Sequence, residues 1–153
     1  MNVKALLSSD DLARACAEAM WREDDASKGL GMELLEVRPG QATLAMTVGP
    51  QMVNGQRIAH GGFIFTLADS AFAFACNTYN ERVVAAQGSI SFIRPGKLGD
   101  LLVATAREIS RSGRSGIYDV RVTVGGAAIA EFRGHSRVIG GTWLPAETDA
   151  TKK

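Results

Sequence analysis

The chain has 153 residues and only two cysteines, Cys16 and Cys76, far apart in the sequence. With no Cys-x-x-Cys, neither a disulfide framework nor a cysteine metal site has residues to build on, and both thiols are expected in the core. Histidine is equally scarce: His60 and His135 are the only two, and neither stands at a spacing that resembles zinc ligation, so no metal is expected. Net charge is nearly absent, because 17 Lys and Arg against 16 Asp and Glu leave +1. No global field would draw such a chain to DNA, RNA or an anionic membrane. A long hydrophobic run is missing too, since the most apolar stretch, residues 62–76, is about fifteen residues with Asp69 in its middle, and a span needs roughly 20. At the N-terminus, Ala5-Leu6-Leu7 before Ser8-Ser9-Asp10 is too short for a secretory signal, and a cytoplasmic location is expected.

What is present fits one globular domain: 46% of residues are hydrophobic and 22% charged. Ser9 or Asp10 is placed to cap a first helix carrying Leu12, Cys16, Ala19, Met20 and Glu23 at helical spacing, ending near Gly29-Leu30-Gly31. Runs 32–38 and 42–48 flank Pro39-Gly40 and predict a hairpin. Residues 63–77 carry apolar side chains on all faces, which predicts a buried helix. Strands are then expected over 83–93, 100–110, 117–124 and 127–139, joined as hairpins at Arg94-Pro95-Gly96, at residues 111–116 and at Gly125-Gly126. This order is α+β rather than the βαβ alternation of nucleotide-binding sheets. It predicts a curved antiparallel sheet wrapped around one long helix.

Asp69 stands out because its helical neighbours are Phe65, Thr66, Phe72 and Ala73. One reading makes it a structural acceptor that fixes packing. The other makes it a base or nucleophile, since an apolar surrounding raises a carboxylate's pKa and strips its hydration. His60-Gly61-Gly62 lies where the loop enters this helix, so unpaired amides and the positive end of the helix dipole face whatever enters there. That suits an oxyanion or a polarised carbonyl, and glycine lets a ligand approach the backbone. The alternative is an ordinary turn and cap. Eight residues separate Gly61 from Asp69, about 12 Å along the axis at 1.5 Å each. One carbonyl cannot meet both within a single helix. Two antiparallel helices across a two-fold axis would bring Asp69 of one chain beside Gly61 of the other, so carbonyl chemistry here predicts a dimer with two shared sites.

The run Asn54-Gly55, His60-Gly61-Gly62, Leu67-Ala68-Asp69-Ser70 and Phe92-Ile93-Arg94-Pro95-Gly96 resembles the hotdog-fold acyl-CoA thioesterases, in particular the PaaI-type subgroup of phenylacetate degradation. The combination is far more specific than its parts. The resemblance covers residues 29–141, with 1–28 as an N-terminal helix and lead-in and 142–153 as a flexible tail. It implies hydrolysis of an acyl-CoA to a free acid and CoA. Asp69 would be the nucleophile or water-activating base, the Gly61 amide the polariser of the thioester carbonyl, Asn54 a positioner of water or substrate, and His60 the shaper of the oxyanion loop. It also implies a homodimer or a dimer of dimers. CoA is then substrate, and no cofactor is expected.

Gly62 and Ser70, beside the motif residues, are candidate substrate contacts, as are Val53, Phe63 and Phe72 for an acyl pocket. Arg94, Arg111 and Arg114 are candidates for the CoA phosphates, each with a solvated turn as its alternative. The acyl group expected is aryl (phenylacetyl or hydroxyphenylacetyl) or short to medium chain. Two other functions compete: an acyl-thioester hydratase or dehydratase using His60, and a non-catalytic acyl-CoA binding module in which Asp69 is structural.

Overall fold

A computed structural model describes residues 7–146. Helix α1 (Ser9–Glu23) and the short α2 (Asp25–Gly29) precede the hairpin β1 (Glu33–Arg38) and β2 (Gln41–Thr47). A 3-10 turn (Pro50–Met52) leads to the long helix α3 (Gly61–Cys76), followed by β3 (Val83–Phe92), β4 (Leu101–Ser112), β5 (Ser115–Val124) and β6 (Ala127–Val138). The strands form one antiparallel sheet in the order β1-β2-β4-β5-β6-β3, with α3 packed on its inner face. This is the expected α+β arrangement of a curved sheet around one helix.

Alternation builds the core. Leu44 and Met46 of β2, Leu102 and Ala104 of β4, Val120 and Val122 of β5 and Phe132 of β6 are buried against Leu67, Ala71, Phe72 and Ala75 of α3. The outer face is polar and carries the ion pairs Arg133–Asp119 and Arg121–Glu131. Both cysteines are buried, and burial pushes the Cys76 thiol up to about 12, so it stays protonated and unreactive near neutrality. Among the described residues no helix is long and apolar enough to cross a membrane.

Four expectations need correction. The cap of α1 is Ser8, not Ser9 or Asp10: its side chain accepts from the Asp11 amide. The buried stripe of α1 accordingly runs through Leu12, Ala13, Cys16 and Ala17, leaving Ala19 and Met20 only partly covered. The segment 111–116 is not a loop, because β4 and β5 continue to a tip at Gly113-Arg114 with Gly113 at positive φ. And Arg94-Pro95-Gly96 is not a hairpin. After β3 the chain crosses the N-terminal end of α3: the Ala59 amide donates to the Gly96 carbonyl (2.7 Å), and Val48 and Gly99 exchange bonds with residues across the same crossing. β3 thus pairs with β6 on one side only and forms a free edge, while β4 joins β2.

The N-terminal helices belong to the same core. Ala13 and Ala17 pack into it, Trp21 stacks against Phe74 at 5.9 Å, and Ser27 hydrogen-bonds Ser70. At the other end, Trp143 and Leu144 amides donate to Asn80 Oδ1 and the Trp143 indole to Asn77 Oδ1. The hydrogen-bonded domain therefore extends three residues into the segment set aside as tail, and residues 147–153 lie outside the described ones.

Candidate active site

α3 is not buried all round. Leu67, Ala68, Ala71, Phe72, Ala75 and Cys76 are covered, but Gly62, Thr66, Asp69 and Ala73, one stripe at three- and four-residue spacing, are not. Hydrophobic composition predicted full burial; the protomer provides only enough sheet to cover one side of the helix.

His60 is the N-cap of α3, and its Nδ1 accepts from the Gly62 amide at 2.9 Å. An accepting Nδ1 leaves the proton on Nε2. The Phe63 amide turns back to the His60 carbonyl (3.0 Å), and the His60 amide donates to the Met52 carbonyl (2.7 Å). The Gly61 amide at the head of the helix is left with no acceptor among the described residues. Gly62 therefore serves the cap, and Gly61 is the free donor.

Asn54 organises the preceding loop as an Asx turn: Oδ1 accepts from the amides of Gln56 (3.0 Å) and Ile58 (3.3 Å). Its Nδ2 makes no bond to a described residue. Between this loop and the crossing segment 92–95 runs an open groove of about 490 Å³, lined by Asn54, Ile58 and Gly61 on one side and by Phe92, Ile93 and Arg94 on the other. Arg94 is held there by its own backbone and side chain, its amide donating to Ile129 and Nη1 to the Ala128 carbonyl at 3.1 Å.

Asp69 lies two turns into α3, half-buried, with no hydrogen bond or ion pair to any described residue. Burial alone raises its pKa above the ordinary carboxylate value. A partnerless carboxylate of this kind has no packing function that its oxygens can be seen to perform.

The other candidates separate. Ser70 faces away, bonded to Ser27 Oγ at 2.9 Å, and so ties α3 to α2. Phe72 is fully buried and stacks with Tyr118 and Phe132, so it is core rather than pocket. Phe63 is half-buried with its ring edge-on to His60, and Val53 bridges Ala59 within the loop; neither lines the groove. Arg111 and Arg114 sit beside Cys76 at the opposite end of α3. Arg111 lies 3.5 Å over the Tyr79 ring and pairs with Glu108; Arg114 binds the Val138 carbonyl. Within one protomer they are remote from Gly61. Of the groove residues that went unassigned, Phe92, Ile93 and Pro95 stand in the run that carries the resemblance.

Residues 56–130, which hold most of the groove, Gly61 and Asp69, match the family described as Thioesterase superfamily. Acyl-coenzyme A thioesterase PaaI of Escherichia coli K12 is 43% identical over 127 residues, covering 82% of this chain and 91% of that one. This chain belongs to the thioesterase superfamily. The superfamily's fold is here as well: the structure of the E. coli PaaI protein superposes with a TM-score of 0.87 at 41% identity, covering 88% of this chain and 99% of that one. A Streptococcus mutans UA159 protein bound to acetyl CoA superposes at a TM-score of 0.70 with 27% identity, over 72% of this chain and 90% of that one. Hotdog fold and PaaI-type thioesterase kinship, both expected from the motif run, hold.

Proposed function

We propose that this thioesterase hydrolyses acyl-CoA to a carboxylic acid and CoA, at a site completed by a second copy of the chain. The observation that carries the reading is the pair formed by a free Gly61 amide and an unpartnered, desolvated Asp69 in one helix. The Gly61 N–H, backed by the helix dipole, polarises the thioester carbonyl and binds the oxyanion that forms. Asp69 attacks the carbonyl carbon or takes a proton from the attacking water. Their separation along the axis, about 12 Å, calls for the partner's Asp69 at each Gly61.

Two surfaces support that assembly. The uncovered stripe of α3 carries Asp69, and β3 is a ten-residue strand, exposed over almost its whole length, with one unpaired edge. Joining two such edges about a two-fold axis buries both and sets the two α3 helices side by side. CoA enters as substrate, so the reading calls for no cofactor and no metal. Asn54 Nδ2 and the remaining donors of Arg94 lie in the groove to meet substrate, whose acyl group we take to be aryl, phenylacetyl or a hydroxylated form, or a short to medium chain. His60 is engaged as helix cap, which favours hydrolysis over hydration.

The test is thiol release from a panel of phenylacetyl-, hydroxyphenylacetyl-, benzoyl- and straight-chain acyl-CoAs, run beside Asp69→Asn. Turnover of one class by the wild type, lost in the variant while CoA-ester binding persists, is the expected result. Binding without cleavage in the wild type would make the protein a carrier of acyl-CoA instead.

A further inference from the structure

Phe92 ends β3 and remains 54% exposed, although its partner in the sheet, Ala130, is fully buried on the inner face. What the ring does touch is the start of α3. A Cβ on Gly61 would lie 2.7 Å from the ring's Cζ, closer than carbon atoms approach, and 3.2 Å from both Cε atoms, a tight contact. The ring end therefore occupies the space a side chain at position 61 would fill, and both residues line the same groove. On its other side the 60–61 peptide is held through its His60 carbonyl, which accepts from the Phe63 amide at 3.0 Å, and the preceding peptide through the His60 amide, while the Gly61 N–H has no acceptor among the described residues. A hydrogen-bond donor that turns by tens of degrees loses most of its strength.

We propose that Phe92 is a positioning residue for thioester hydrolysis: its ring holds the Gly61 peptide so that the N–H faces the groove, and it is this ring that a side chain at 61 would have to displace. The inference rests on the hydrolase reading and deepens it. A methyl group at 61 does its damage by displacing the ring, so the two positions must be energetically coupled.

The experiment is a double-mutant cycle on kcat and KM, by thiol release with whichever of phenylacetyl-CoA and hexanoyl-CoA the wild type cleaves faster, with the thermal midpoint recorded for every variant. Phe92→Ala is expected to lower kcat about tenfold with KM changed less than about threefold, the signature of a group acting in the transition state. Phe92→Leu, which still fills the space, should keep at least roughly a third of wild-type kcat. Gly61→Ala alone should lose about a hundredfold, in the range of a lost oxyanion donor, whereas Gly61→Ala with Phe92→Ala should be no worse than about threefold below Phe92→Ala. Multiplicative losses, or a Phe92→Ala effect confined to KM, overturn the inference while leaving the hydrolase reading intact. A wild type that cleaves neither these esters nor any other in the panel overturns both. Should Phe92→Ala not fold, the same cycle with Phe92→Val decides the matter.

Discussion

Asp69 is a carboxylate that the fold makes uncomfortable. Burial raises its pKa and no partner lowers it again. For an acid, a folded-state pKa above the unfolded one means that the protonated form is the better tolerated in the fold. The benefit is fully present below the unfolded carboxylate range and is lost as pH rises through the raised folded value. At neutral pH Asp69→Asn should therefore unfold at a higher temperature than the wild type, and the difference should vanish as pH falls into the ordinary carboxylate range; calorimetry across pH measures it. The same shift sets catalysis in the opposite sense, because attack or proton abstraction needs the anion. The acid limb of the kcat/KM profile is expected to lie above the ordinary carboxylate pKa, and an acid limb at or below that value would deny Asp69 its role.

At this scale the site was largely legible because its parts are local. An Asx turn, a capping histidine, a free helix amide and an acid two turns later are each written within a few residues, and their spacing translates directly into distance along α3. Phe72 misled because a helix that is apolar on all sides does not declare which side meets a sheet and which meets a groove. Its burial makes a clear prediction: Phe72→Ala should lower stability by about 3–5 kcal/mol in denaturant unfolding, with the acyl preference of the folded fraction unchanged. Arg111 and Arg114 stand apart from the groove of their own protomer for a different reason. Cations between small residues look like a solvated loop, but β4 and β5 run to a tip at Gly113-Arg114, and within one protomer both side chains are engaged at the end of α3 away from Gly61.

At the scale of elements, α3 is fixed at both ends by side chains as well as by backbone. His60 closes its start, and Asn77 closes its finish: fully buried, Asn77 donates to the carbonyls of Ala73 (2.8 Å) and Val83 (3.0 Å) and accepts from the Val83 amide and the Trp143 indole, both at 2.9 Å. One side chain thereby ties the helix to β3 and to the C-terminal segment. Asn77→Ala strands several buried polar groups at once and should cost about 2–4 kcal/mol, read as a lower urea midpoint with an unchanged slope. The elements themselves followed from periodicity to within a few residues at each end, except that the first helix, expected to reach Gly29, breaks at Asp24 into α1 and α2. Their pairing did not. Arg94-Pro95-Gly96 carries turn residues whether the chain doubles back or crosses over, and only the bonds from Ala59 and Val48 to the crossing segment decide it. That crossing is what carries Phe92 and Arg94 to the groove.

At the scale of the whole molecule, the proposed reaction needs a second copy of the chain. The protomer has a free β3 edge and an open stripe on α3, and the two groups proposed to act on the thioester, the Gly61 amide and Asp69, lie about 12 Å apart along one helix axis. A shared site makes a prediction that a site within one chain does not. Asp69→Asn and Gly61→Val should each be inactive alone, since every site in either homodimer lacks one component. In a mixed dimer one site carries both lesions and the other carries none. Equal amounts of the two chains, unfolded together and refolded, should give about half mixed dimers with one intact site in each, hence roughly a quarter of wild-type activity. Mixing the two proteins without unfolding should give recovery only as fast as subunits exchange, which sedimentation of the mixture at falling concentration can follow. If Asp69 instead served the Gly61 of its own chain, every site in the refolded mixture would still carry a lesion. No activity would return however completely the chains exchanged, and the two-fold arrangement inferred from the free edge and the spacing would have to be abandoned.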